Sequence, residues 1–191
     1  MRPTSFDADL AVDWSRWVLA HGLPQAPGPQ LSVGESVPVS YWIGPSTAAV
    51  LHIRRAHDED RGPLTETNID LFCLVAGDWT SWGGGGGSWP DDSPLAQLAL
   101  APTHVELGGM NCGTVGNRGC KALWGTVGTA AATAEVRQAG KVTRRRVETP
   151  GGAFVVCGEH AEPFTVRVLG EHGDVLAEFE EPAGFDPTAD F

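Results

Sequence analysis

The sequence predicts a mainly β protein, an antiparallel β-sandwich that carries one N-terminal amphipathic helix and Gly/Pro-rich loops. Of its 191 residues, 25 are glycine and 14 are proline, and this usage favours many turns over long helices. From residue 122 onward, short apolar segments alternate with turn sequences at a spacing typical of sandwiches and barrels. The clearest helical periodicity lies near the N-terminus.

The predicted helix runs from Asp7 to His21 and is followed by Gly22, a residue that commonly ends helices. Apolar side chains recur along it at three- and four-residue steps, which gives one stripe. Such a stripe packs on its own domain or docks on a partner, because two exposed tryptophans would be costly to leave in water. The stripe consists of Leu10, Trp14, Trp17, Val18 and His21.

Composition divides the chain into four predicted parts. These are an N-terminal helix at 1–22, a Pro/Gly-rich connector at 23–38, the β-sandwich domain at 39–180 and an acidic tail at 181–191.

Alternating or continuous apolar runs mark the strands, and polar or turn-rich segments mark the loops. The predicted loops are 54–67 and 111–120. The predicted strands are 41–43, 47–54, 68–76, 95–100, 104–107, 122–127, 132–138, 141–148, 153–157, 164–169 and 175–179.

The most unusual segment is 77–90, where Trp79, Trp82 and Trp89 bracket the five glycines 83–87. Glycine loses the most conformational entropy on ordering, whereas tryptophan offers a large apolar surface and one N–H donor. We therefore predict a loop that crosses between two parts of the sheet system and is pinned by its tryptophans. The three indoles are candidate binding residues for a sugar ring or a peptide, and packing as core plugs is the alternative.

The formal net charge of −11 argues against nucleic-acid binding and against docking on anionic lipid, because both need a basic surface. No apolar run reaches the length of a membrane helix, and the first residues lack the apolar core of a signal peptide. These observations predict a cytoplasmic protein with reduced thiols.

The four cysteines fall into two pairs. Cys73 and Cys157 resemble small core residues, whereas Cys112 and Cys120 are close enough in sequence to form a disulfide.

Several polar groups are candidate chemical sites. The run 57–60 holds four potential metal ligands but is typical of a charged turn, and Cys112 with His104 as base rests on proximity alone. His160 and His172 lie in two acidic turns; if the fold joins these turns, they could hold a cation for a metal-assisted hydrolase. Arg144, Arg145 and Arg146 could pair with an anionic partner or with the acidic C-terminal tail, and the alternative is that they protect an exposed edge strand.

The C-terminal third combines an aromatic-glycine strand at Leu123–Val127, a strand with alternating valine at Ala134–Arg137, a G-x-F-x-V segment at Gly152–Val156 and a closing hairpin at Thr165–Leu176. This pattern resembles β-sandwich (Ig-like) modules of high-GC bacteria. The resemblance implies a fold and carries no catalytic residues.

Together these observations predict a non-enzymatic binding or assembly module that contacts a protein partner and uses no cofactor. The candidate contact residues are Trp79, Trp82 and Trp89, with Trp14 and Trp17 as the second choice. The alternatives are the metal-assisted hydrolase and a carbohydrate-binding module that uses the tryptophan and glycine segment.

Overall fold

The computed structural model describes residues 8–24, 32–59, 62–90, 100–115, 118–148 and 152–180. These residues form one helix and eleven strands in antiparallel sheets, which confirms the predicted mainly β fold. The predicted acidic tail, nearly all of the predicted strand 95–100 and the middle of the connector lie outside the described residues. The elements are α1 Ala8–His21, β1 Ser36–Ile43, β2 Thr47–Asp58, β3 Gly62–Val75, β4 Asp78–Pro90, β5 Val105–Val115, β6 Arg118–Val127, β7 Ala131–Gln138, β8 Lys141–Arg146, β9 Ala153–Glu159, β10 Phe164–Gly170 and β11 Val175–Glu180.

The first sheet has the strand order β1-β2-β3-β4, and its strand β2 is buried on both faces. On β2, Leu51 and Ile53 join the main core, while Ala48 and Val50 join a smaller cluster beneath α1. A strand that is buried on both faces has a nearly continuous apolar sequence. This is why 47–54 was recognisable as a strand without simple alternation.

The second sheet, β5-β6-β9, packs on the inner face of the first. Leu71 of β3 shares one core with Trp124 and Val155 of the second sheet. The edge strands of the first sheet are also covered, since β1 lies against β9 and β4 against β5. Ser40 on β1 accepts a hydrogen bond from the Val155 backbone N–H at 3.1 Å. Covered edges protect the sheet from pairing with other chains.

The third sheet has the order β11-β10-β7-β8, and its outer face carries a row of alternating charges. Register places Arg144 opposite Glu135, Glu135 opposite Arg167, and Arg167 opposite Glu178, so the row crosses all four strands. Arg144 lies on β8, which is an edge strand as the sequence predicts. Opposite charges in register stabilise a sheet. This face is therefore polar and paired.

Glu135 is the buried member of this row, with 1% of its side chain exposed. The Arg137 guanidinium donates to Glu135 Oε1 at 2.5 Å, and that of Arg144 donates to Oε2 at 2.6 Å. Burial alone would raise the pKa of Glu135, but hydrogen bonds and charge from the two arginines outweigh it and hold this pKa below 4.5. The carboxylate is therefore ionised and paired at neutral pH.

Two predicted loops are paired strands. Residues 54–67 lie mainly in the arms of the β2–β3 hairpin, and 111–120 lie mainly in those of the β5–β6 hairpin. At the outer end of the first hairpin, Arg54 pairs with Glu66 at 3.6 Å, and both side chains are about one-third exposed. Polar side-chain pairs across two strands stabilise their pairing where the sequence has no apolar alternation. The prediction failed there because it depended on that periodicity.

Candidate functional site

Helix α1 lies on the outer face of the first sheet, against β1 and β2. Val18 and Leu19 are buried on Ala48, Val50 and Phe72. Burying one such aliphatic side chain stabilises by about 1.5–3 kcal/mol, which is enough to dock a short helix. The predicted apolar stripe is correct at Val18, which is buried, and at Trp14, which is partly buried. It is wrong at Trp17 and His21, which are exposed, and it omitted Ser15 and Leu19, which are buried. The side chain of Leu10 lies outside the described residues.

A polar cluster is enclosed between α1 and the first sheet. It consists of Ser15 on α1, His52 on β2 and Asp70 on β3, whose exposures are 0%, 1% and 6%. Ser15 Oγ lies 2.6 Å from His52 Nε2 and 2.6 Å from Asp70 Oδ2. Asn68 Nδ2 donates to the second Asp70 oxygen at 3.2 Å. Hydrogen bonds to a buried carboxylate are strong, so the cluster ties the helix to two strands.

The hydrogen-bond pattern fixes which nitrogen of the neutral His52 ring carries the hydrogen. The single hydroxyl proton of Ser15 is donated to Asp70, so His52 Nε2 must carry a hydrogen and donate to Ser15 Oγ. In the neutral ring Nδ1 is then unprotonated, and it finds no hydrogen-bond partner among the described residues. The Trp14 indole meets the imidazole edge-on at 5.9 Å between ring centroids. The ring therefore has one satisfied nitrogen and one nitrogen enclosed without a partner.

Burial lowers the pKa of His52 to about 4, and the nearby Asp70 carboxylate opposes this shift only in part. A buried imidazolium loses its hydration, and one carboxylate whose nearest oxygen lies 3.6 Å from Nε2 does not replace that hydration in full. His52 is therefore neutral at neutral pH.

The three residue types match a Ser–His–acid catalytic triad, but their geometry does not. In a triad the imidazole joins the hydroxyl through one nitrogen and the carboxylate through the other. Here both Ser15 and Asp70 lie on the Nε2 side of His52. Ser15 is also fully buried, so its hydroxyl is not presented to a substrate. The arrangement serves as a polar contact between helix and sheet.

Sequence reasoning missed this cluster, although a signal was present. Ser15 interrupts the apolar face of the helix, and His52 and Asp70 interrupt apolar strands. Polar residues on faces that must be buried need partners, and they find those partners in one another. Helix-to-strand packing decides which partners meet, and a linear sequence does not give that packing.

Trp17 and Trp14, the second-choice binding residues, have different environments. Trp14 is partly buried between the core clusters, whereas Trp17 is 45% exposed on the outer side of α1. The Trp17 ring stacks on His21 with centroids 4.7 Å apart. His21 Nδ1 lies 2.9 Å from the Trp17 carbonyl oxygen, one turn earlier in the helix. The exposed indole is therefore held in one orientation.

The first-choice tryptophans do not form one platform. Trp79 packs against the cluster beneath α1, whereas Trp82 packs against the main core on the opposite face of the sheet. Trp89 pairs with Thr65 through its backbone, and its side chain lies outside the described residues. Partial burial of Trp79 and Trp82 agrees with the core-plug alternative, and a binding role for the three stays a prediction.

The prediction of a glycine loop is wrong, because the glycines form part of β4. Gly84, Gly85 and Gly86 lie opposite Asp70, Ile69 and Asn68 of β3. A Cβ atom on Gly84 would lie 2.3 Å from the Ile69 carbonyl oxygen, and one on Gly86 would lie 2.0 Å from that of Thr67. The Trp82 carbonyl likewise lies where a Cβ on Gly113 of β5 would be. Glycine is therefore needed because three backbones approach closely.

The histidine turns proposed for a metal site are far apart. His160 follows β9 and His172 follows β10, so they lie at opposite ends of β10. Seven residues in a strand span roughly 20 Å, so these two imidazoles do not share one ion. Within the described part of the chain, no group of three or more His, Cys, Asp or Glu residues is arranged to hold a metal. Asp60 of the 57–60 run lies outside that part.

The cysteines are free thiols, and three of them meet between the first two sheets. Cys120 hydrogen-bonds with Cys157 and Cys73, and this contact with Cys157, together with burial, raises the pKa of Cys120 far above its usual range. Cys112 lies opposite Lys121, and Gly113 lies opposite Cys120, so Cys112 and Cys120 point to opposite faces of their sheet. The register does not favour the disulfide that the spacing allowed.

Thiol labelling with a maleimide at pH 7.5 tests this arrangement. We expect slow modification of Cys112 alone in the folded protein, because it is only partly buried and burial raises its pKa. All four thiols should react after unfolding in denaturant. Rapid native labelling of Cys73, Cys120 or Cys157, or a disulfide between Cys112 and Cys120 in peptide mapping, would contradict the structure.

Comparison with known proteins gives no relative for this chain: no family model, curated protein or solved structure matches it. In the described residues, no helix has the length and apolar character that a bilayer crossing needs.

Proposed function

We propose that this protein is a non-enzymatic binding module that contacts a protein partner through the outer face of α1. The observation that carries the proposal is the Trp17 indole, which is 45% exposed on a helix that is itself firmly docked. Tryptophan is the side chain most enriched among residues that dominate binding energy at interfaces. Exposed and already oriented by His21, it contacts a partner at low entropic cost.

The chemistry of the other groups supports binding over catalysis. The buried Ser15–His52–Asp70 cluster lacks the geometry of a triad, and the two histidine turns lie at opposite ends of β10. The outer face of the third sheet has its charges paired in a row, so it offers few unpaired groups to a partner. The exposed apolar group on α1 is the Trp17 indole, and it lies beside the exposed Asp13–Arg16 pair. An apolar centre with a charged rim is typical of protein interfaces.

Site-specific photocrosslinking tests the proposal. A photoreactive phenylalanine analogue at Trp17 should capture a specific protein in the native cell, and the same analogue at Val142 is the matched control. Val142 is similarly exposed, at 52%, but lies on edge strand β8. Equal capture at both positions, or none at Trp17, would contradict the proposed surface.

With the captured partner purified, Trp17→Ala should weaken binding roughly 30-fold, the loss typical of a central interface tryptophan. The midpoint of thermal unfolding should change little, because the side chain is largely exposed. Val142→Ala should leave the affinity unchanged. A Trp17→Ala protein that binds as tightly as the wild type would overturn the proposal.

A further inference from the structure

The Ser15–His52–Asp70 cluster joins α1 to the sheet through a group that can change its charge. We propose that this cluster is an acid-sensitive latch, in which protonation of His52 releases α1 from the first sheet while the β-sandwich stays folded. The attachment of α1 does not depend on whether Trp17 contacts a partner.

The enclosed position of the unprotonated His52 Nδ1 makes the latch sensitive to acid. Because Nε2 already donates to Ser15, an added proton must go to Nδ1, which has no partner among the described residues and is enclosed. A buried N–H without an acceptor and a buried positive charge are both costly. Lifting α1 would let water reach Nδ1 and remove both costs. Protonation therefore favours the open position of the helix.

The charges around His52 do not cancel this effect. From β3, Asp70 faces the imidazole on the Nε2 side at 3.6 Å, and Asn68 is neutral. From α1 only Ser15 and the Trp14 ring face it, and from β1 the opposite residue is Pro38. Farther along β2 and β3, Arg54 pairs with Glu66. Asp70 is thus the one close countercharge in the described structure, and it already accepts from Ser15 and Asn68.

The packing of α1 makes its separate release feasible. The helix contacts β1 and β2, and among its described residues only the partly buried Trp14 also packs against the main core, most of which lies on the other side of the first sheet. Val18 and Leu19 are its only buried aliphatic side chains in the described part of the helix. An isolated helix of 14 residues is marginal in water, so a released α1 unfolds and its backbone amides exchange.

The direction and size of the effect follow from linkage. His52 has a pKa of about 4 when α1 is docked and about 6.5 when it is exposed to water, so docking is strongest above pH 6.5 and weakens as the pH falls. Between these two values the equilibrium for opening rises about tenfold per pH unit, or roughly 300-fold in total.

Hydrogen–deuterium exchange of the full-length protein between pH 7.5 and 4, corrected for intrinsic rates, tests the latch. We expect peptides from α1 to lose protection with falling pH while peptides from β9 and β10 keep theirs. In His52→Gln, a neutral side chain that can still donate to Ser15, protection of α1 should not depend on pH in this range. Glu66→Gln is the matched control and should behave like the wild type.

If His52→Gln does not fold, NMR titration of the His52 imidazole in the wild type provides a second test. Protection of α1 should fall steadily below pH 6.5 and level off where the His52 signal of the docked protein titrates, near pH 4. Loss of protection in α1 and in the strands at the same pH, or titration of His52 without any change in α1, would overturn the proposal.

Discussion

Gly84→Ala and Gly86→Ala are each expected to destabilise the protein by about 3 kcal/mol or more, a large share of the roughly 5–15 kcal/mol that stabilises a typical domain. The added methyl group would lie within 2.3 Å of a β3 carbonyl oxygen at either position, and backbone atoms cannot move aside without breaking the ladder. Urea unfolding of each variant measures the loss, and failure to accumulate as folded protein is an acceptable extreme of the same result.

Gly85→Ala is the matched control from the same tract. Its methyl group would meet only the Asn111 side-chain nitrogen, 2.2 Å away, and this flexible side chain can rotate. We expect a cost of about 1 kcal/mol or less, as for most changes that need only a side-chain adjustment. If all three variants had the same stability, the close approach of β4 to β3 would be wrong.

The glycine tract also shows where sequence reasoning reached its limit. Glycine has a low intrinsic preference for strands, so five in succession predict a loop. The structure overrides this preference through close backbone approach: β4 lies between β3 and β5, and the absence of side chains at Gly84 and Gly86 is what allows the pairing. No periodic pattern exists in a run without side chains, so the pairing could not be read from the sequence.

Where side chains do alternate, prediction succeeded. The helix was placed within one residue of its observed start at Ala8, and the strands after residue 122 were found with small errors at their ends. Turn sequences such as Ala139-Gly140 fix those hairpins locally, and both residues have positive φ there. The inward face of α1 was found only in part: Val18 was placed on it but Ser15 was not, because Ser15 is polar and its burial depends on His52 and Asp70, 37 and 55 residues away.

The second large predicted loss of stability comes from disrupting the charged row on the third sheet. Glu135→Gln is expected to lower the free energy of unfolding by about 2 kcal/mol at pH 7. The substitution keeps the size of the side chain but removes the buried negative charge that holds Arg137 and Arg144 together. This loss of stability is smaller than that for a fully buried ion pair, because the two arginines are 44% and 63% exposed and water screens part of their charge.

Glu178→Gln is the matched control, because Glu178 pairs with Arg167 in the same row but is 39% exposed. Its loss should not exceed about 1 kcal/mol, the usual limit for a surface pair. Urea unfolding of both variants and the wild type at pH 7 compares the two positions under one condition. Equal losses at Glu135 and Glu178 would show that burial of the carboxylate contributes nothing.

The pH dependence separates the charge of Glu135 from its shape. Because the folded-state pKa of Glu135 is held below 4.5, its ionised form stabilises the protein above that value, and this contribution is lost as the pH falls through the folded-state pKa. The difference in stability between the wild type and Glu135→Gln should therefore shrink below pH 4.5. His52 titrates in both proteins, so its effect cancels in the difference. A difference that stays constant into acid would assign the loss to altered packing and contradict the role of the paired charges.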